Sequence, residues 1–181
     1  MKLTHSSRRW VVSLVALGAL TAASGGLSAQ ESSSEKLLVL LRDASALAIV
    51  DPDSGTVLGR VPTGRDPHEV TATPDGRLAF VASPSDGISV IDIATQREIR
   101  RVNTGPGSSV HDLLFVDGKV YFTIEGYKSI GRYDPEADLI DWTLGIGQEG
   151  THMLVLGADG RTLFMPNRAS NTVTMAEGAI D

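Results

Sequence analysis

Three Asp-Gly pairs, Asp75-Gly76, Asp117-Gly118 and Asp159-Gly160, recur at spacings of 42 and 42 residues, each between two apolar runs. Asp-Gly in such a setting predicts a two-residue hairpin turn, because both central residues of that turn need positive φ. A second series, Asp51, Asp92 and Asp134, spaced by 41 and 42, opens the turns DPDSG, DIATQ and DPEAD, and Glu177 occupies the next such position. These carboxylates are expected to accept backbone N–H bonds inside their turns. From Glu35 onward no long stretch follows a 3.6-residue period. The runs are short, β-rich and divided by Gly, Asp, Pro and Ser, which predicts an all-β chain without helix.

A period near 42 residues with about four short strands inside it predicts the blades of a β-propeller. A four-stranded antiparallel sheet cannot bury its faces alone and must stack on its neighbours around a channel. The clearest unit, 64–105, predicts strands over 69–73, 77–83, 88–92 and 98–102, running from the channel outward. The next, 106–147, predicts 110–116, 119–124, 129–133 and 139–144, and the third, 148–181, predicts 153–156, 161–165 and 172–175. Over 36–63 the runs KLLVLL, ALAIVD and TVLGRVP form a partial blade equivalent to the second, third and outer strands. About three and a half blades are therefore expected over 36–181. Closed rings use ~4 to 8 blades, so the expectation is either part of a longer chain or a half-ring that pairs with another chain. A half-ring would expose an apolar inter-blade face at each end and favour self-association.

The first 29 residues read as a signal peptide: Lys2, Arg8 and Arg9 precede an apolar run from Trp10 to Ala23, and Leu27-Ser28-Ala29 offers a cleavage site before Gln30. That run is short for a membrane span. Ser7-Arg8-Arg9-Trp10-Val11-Val12 is similar to a twin-arginine export motif, so either export route fits, and both predict a periplasmic or secreted protein. Residues 30–35, QESSSE, read as a flexible lead-in. The chain carries a net charge of −6, and loss of the three basic residues of the leader brings it to −9. That balance excludes nucleic acid and argues against membrane insertion after signal removal, since both nucleic acid and anionic lipid call for a basic footprint. There is no cysteine, hence no disulfide, and the fold must be held by packing.

The stretch PHEVTATPDGRLAFVASPSDGISVIDIATQREIRRVNTG resembles the YVTN-type β-propeller repeat, with its Pro-x-x-Val, Pro-Asp-Gly, Phe-Val and Val-Ile-Asp elements. The second unit, HDLLFVDGKVYFTIEGYKSIGRYDP, lacks the Pro before Asp117 and is similar to blades of the streptogramin-lyase propellers. The resemblance implies an exported, seven-bladed propeller. It implies no activity, because this architecture hosts binding proteins, lyases, lactonases and cofactor-carrying subunits.

His68, His111 and His152 fall at one point of the repeat, spaced by 43 and 41, each at the entry to an inner strand and so near one rim of the channel. With Glu69 and Asp112 beside two of them they are the candidate ligand-binding residues. Imidazole and carboxylate together could act as acid and base or bind a divalent cation such as Mn, Fe or Zn. Ligands of one ion must all lie within ~2 to 2.5 Å of it, and neighbouring inner strands diverge around a channel, so three adjacent blades need not bring their imidazoles that close. The leading reading of the histidines is structural, since in WD-repeat propellers an equivalent histidine hydrogen-bonds within its own blade. Glu125 is read as solvated, Arg132 as blade architecture, and Trp142 as packing between blades.

No Cys-x-x-Cys-His, Walker loop, Gly-x-Ser-x-Gly or His-Glu-x-x-His is present. LGIGQEG, 144–150, is a connection between blades. The function expected first is a non-catalytic binding or interaction module with a small-molecule or protein ligand at the channel rim. Two alternatives stand beside it: a metal-assisted lyase or lactonase using the rim histidines, and a propeller subunit carrying haem or quinone.

Overall fold

The structure is a computed structural model that describes residues 35–180. The signal segment and all but the last residue of the lead-in lie outside the described residues. Fourteen strands form four antiparallel sheets. The first has three strands, β1 (Leu37–Leu41), β2 (Ala46–Val50) and β3 (Val57–Pro62). The second has four, β4 (Glu69–Ala72), β5 (Leu78–Ser83), β6 (Gly87–Asp92) and β7 (Arg97–Val102). The third holds β8 (Val110–Val116), β9 (Lys119–Ile124), β10 (Ser129–Asp134) and β11 (Leu139–Gly145). The fourth has β12 (Val155–Leu156), β13 (Leu163–Asn167) and β14 (Thr172–Ala176). A single 3₁₀ turn, Glu125–Tyr127, is the sole helical element among the described residues, and none of their helices is long and apolar enough to cross a membrane.

The sheets stack face to face like propeller blades, and three apolar layers hold them together. Along β5 successive side chains point to opposite faces. Ala79 and Val81 pack with Leu47, Ile49 and Val61 of the first sheet, while Phe80 and Ala82 pack with Val120, Phe122 and Ile124 of the third. Strand β9 repeats this division: its Tyr121 turns the other way, to Leu163 and Met165 of the fourth sheet. The second and third blades are therefore two-sided, and their central strands read as near-continuous apolar runs because both faces are covered.

The two Asp series behave differently. Asp117 and Gly118 both take positive φ, 48° and 77°, and join the paired residues Val116 and Lys119 in the expected two-residue turn. Asp75-Gly76 and Asp159-Gly160 do not: only the glycine has positive φ. Here the loop is four residues long, closed by Thr73 N–H donating to Leu78 O and by Gly157 N–H donating to Thr162 O. The Asp side chain accounts for the difference, since Asp75 accepts from Arg77 N–H and Asp159 from Arg161 and Thr162 N–H, an Asx arrangement that needs the aspartate in the ordinary φ region. The second series follows expectation: Asp51 accepts from Asp53 and Ser54 N–H, Asp92 from Thr95 N–H and Asp134 from Glu136 and Ala137 N–H. Just before each of these aspartates the pairing of the third and outer strands shifts by a β-bulge, at Ile49/Val50, Val90/Ile91 and Arg132/Tyr133.

Phe80, fully buried between the second and third sheets, is the test of this stacking. Phe80→Ala is expected to cost about 3–5 kcal/mol through lost transfer energy and a residual cavity, read as a shift of the urea midpoint.

Candidate functional site

The three histidines meet. His68 immediately precedes β4, His111 is the second residue of β8, and His152 lies three residues before β12. Inner strands crowd together near the axis, so the rings form a row: His68 to His111 at 4.8 Å between centroids, and His111 to His152 at 3.8 Å. No set of three His, Cys, Asp or Glu among the described residues is nevertheless arranged to hold a metal ion.

Each ring is held in its own way. His68 Nδ1 lies 2.7 Å from the carbonyl of Asp66, which can only accept, so the proton sits on Nδ1. This is the within-blade bond of the structural reading, and the backbone N–H of His68 adds to it by donating to Ala82 O. His152 departs from that reading by reaching out of its own sheet: its Nδ1 is 2.7 Å from Glu125 Oε1, on the 3₁₀ turn of the third blade. Arg168 grips the same carboxylate with Nε and Nη2 at 3.3 and 3.2 Å. Burial pushes the Glu125 carboxyl up, but Arg168 and His152 outweigh it and hold the group below its ordinary value. Glu125, expected to be solvated, is instead a largely buried anion whose side chain is 12% exposed. The turn carrying it has Gly126 donating to Ser108 O, and a Cβ there would meet Gly107 O at 1.8 Å. Only glycine brings the two loops that close.

His111 stands between the other two on a β-bulge. Val110 pairs with Ile124 and Leu113 with Phe122, so His111 and Asp112 together face Thr123 alone. Bulges of this kind re-aim side chains beside functional sites. His111 Nδ1 is buried without a hydrogen-bond partner in the described structure. Burial, followed by the neighbouring His152 and His68, lowers its pKa to about 4, so the ring is neutral at physiological pH. Asp112, expected as a ligand residue, is a cross-blade link. Its carboxylate accepts from Leu113 N–H at 2.8 Å and from Leu154 N–H of the next blade at 2.6 Å, although burial raises its pKa. Glu69 is also raised, by burial and then by the nearby Asp112 charge. Sequence reasoning named His68, Glu69, His111, Asp112 and His152 and missed the part of Glu125 and Arg168, whose separation of 43 residues is itself one repeat.

Farther out, Arg132 is paired with Asp141 at 2.9 and 3.1 Å and lies over the rings of Tyr121 and Trp142, so both Arg132 and Trp142 serve blade packing as expected.

Stacked antiparallel sheets of three and four strands, with a histidine row at their inner edge, define a β-propeller. The chain belongs to the Cytochrome D1 heme domain family, whose model matches residues 32–131, more than half of its length. Among solved structures it is similar to the hydrazine synthase of Kuenenia stuttgartiensis, with a TM-score of 0.71 and 22% identity over 78% of this chain. The match spans 42% of that protein's chain, less than half its length. No curated protein matches the sequence.

Two measurements follow from the site. The unfolded His111 side chain titrates near 6.5 and the folded one near 4, so the unfolded state binds the proton first and stability is lost as pH falls between these values. His111→Leu is expected to remove this loss. Glu69 and Asp112 act in the opposite sense, so the readout is the melting-temperature difference between the parent chain and the variant at each pH from 7 to 4. Asp112→Ala leaves the Leu154 N–H without its acceptor and is expected to cost about 1–3 kcal/mol in urea unfolding, with Asp112→Asn less damaging because it keeps one acceptor oxygen.

Proposed function

We propose that this chain is the propeller part of an exported haem-binding protein, with the histidine row at the haem site. The observation that carries this reading is His152 held through Nδ1 by a half-buried, ionised Glu125. A carboxylate in that position fixes the tautomer and leaves Nε2 with its lone pair, the form in which histidine ligates iron. Membership of the Cytochrome D1 heme domain family supports the same reading. The donor set suits a haem better than a bare divalent ion: one oriented imidazole would be enough to hold a haem iron, whereas among the described residues no three ligands converge on a point.

His152 would hold the iron, with Glu125 and Arg168 fixing its ring. His111, neutral and flanked by both other rings, would offer an uncharged polar edge, and His68 would stay tied to its own blade. A bound haem supplies redox and ligand-exchange chemistry at its iron. The signal-like pattern of the sequence over 1–29 supports an extracytoplasmic location. The YVTN-type likeness of 67–105 supports a propeller repeat and is compatible with a purely binding role.

The test is titration of the purified chain with haem, followed by absorbance. Binding with a shifted Soret band is expected, lost in His152→Ala and weakened about 10- to 100-fold in Glu125→Gln. A parent chain that leaves the haem spectrum unchanged, or a His152→Ala chain that binds as well as the parent, overturns the reading.

A further inference from the structure

Where one blade meets the next, the outer strands border a cleft, and its filling differs from junction to junction. The register aligns two rows across the sheets, Phe80–Val90–Arg100 in the second and Tyr121–Arg132–Trp142 in the third, so Arg100 and Trp142 hold equivalent places 42 residues apart. Between the third and fourth sheets Trp142 packs into the shared apolar layer, in a T-shaped contact with Tyr121. Between the first and second, Gln96 lies against Gly59, where a Cβ would meet its Oε1 at 1.9 Å. The counterpart of Gln96 in the third blade is Asp138, at the same positive φ, and it reaches back in the same way to pair with Arg100. These two side chains do not fill the space between the second and third sheets. Cavities of about 400 and 360 Å³ remain there, both walled by Arg100 and Tyr133. The cleft lies between the two complete blades, on outer strands away from the histidine row, and blades stacked before or after this pair sit on other faces.

The larger cavity combines apolar lining with positive charge. Leu78 and Val90 line it, and so does Ile99, which is 56% exposed. Arg77 and Arg100 stand beside them. Arg77 makes no ion pair among the described residues, and the carboxylate of Asp92 near it is taken up by Thr95 N–H and Oγ1. Arg100 already shows the chemistry it accepts: Asp138 sets a carboxylate oxygen against its guanidinium, and the hydroxyl of the buried Tyr133 donates to that same oxygen at 2.9 Å. An ion pair as exposed as this one contributes little. A guanidinium carries five N–H donors, so a second carboxylate can join Asp138 on Arg100 or take its place.

We propose that this cleft is a binding site for a small organic anion, one carboxylate on a flat apolar body, with the carboxylate held by Arg77 and Arg100 and the body against Leu78, Val90 and Ile99. Charge selects the class: a carboxylate gains charge-assisted hydrogen bonds from both arginines, a neutral molecule of the same shape gains none, and a cation is repelled. Apolar walls with a few convergent polar groups are the composition of ligand pockets of this size. The site is separate from the histidine row and stands whether or not that row holds a haem.

The test is titration of the isotope-labelled chain with naphthoate, followed by amide shifts in two-dimensional NMR spectra. Saturable shifts gathered on Leu78, Val90, Ile99 and Arg100 are expected, with naphthylmethanol, the neutral analogue, binding more weakly. Arg77→Gln and Arg100→Gln are each expected to weaken naphthoate about tenfold, as loss of a hydrogen bond to a charged group does. Asp138→Asn is expected to tighten it by removing the competing carboxylate. Arg100→Trp, which copies the residue of the next blade, is expected to abolish binding by filling the cleft while the chain melts no lower than the parent. A parent without saturable shifts overturns the proposal. So do shifts gathered at the histidine row, equal affinity for naphthylmethanol, or arginine variants that bind as the parent does. If an Arg100 variant loses its folded spectrum, Arg77→Gln decides, because Arg77 is exposed and holds no ion pair among the described residues.

Discussion

No sheet in this molecule can exist without a neighbour. Each blade presents apolar residues on both faces of its central strands, and without cysteine or extended helix among the described residues the chain has only face-to-face burial to hold it. The axial site follows from that constraint. Flat sheets stacked around an axis must be closest where their inner strands lie, and whatever residue the repeat places at the entry to an inner strand is carried into contact with its copies. The row of His68, His111 and His152 is a geometric product of a repeat that packs, and its chemistry comes from the small ways in which the three copies differ.

Those differences decide what each ring can do. His68 is satisfied by a carbonyl two residues away, His152 by a carboxylate from the previous blade, and His111 at Nδ1 by nothing in the described structure. One repeated residue thereby yields an anchored ring, an oriented ring and a neutral ring with a depressed pKa. Repetition supplies proximity, and divergence supplies function.

Much of this was legible in the sequence, for a physical reason. The strands of the second and third blades fall within a residue or two of their expected spans, because alternation, Asp-Gly turns and Asx turns all act over a few neighbours. The position of the histidines at one point of the repeat was legible too. What local pattern could not carry was anything depending on two strands or two blades at once: the distance between rings, the Glu125–Arg168 pair, the Asp112 carboxylate bonding the next blade, and the bulge that sets His111 and Asp112 together opposite Thr123. The Asp-Gly pairs show the same limit at smaller scale. The identical dipeptide makes a two-residue turn at Asp117 and a four-residue loop at Asp75 and Asp159, because Thr73 and Thr162 bond to the aspartates there.

The polar links between the third and fourth blades, Asp112 to Leu154 and Glu125 to His152 and Arg168, lie at or near the inner edge, while the outer strand β11 alternates half-buried and exposed residues along its length. Stiffness is thus graded along the radius. Local opening draws on the least protected segments first, so the blades would loosen from their periphery like pages held at a spine. Amide protons of β11 would then exchange while those beside the histidines remain protected, and the inner edge would keep its geometry through fluctuations that the outer strands do not survive.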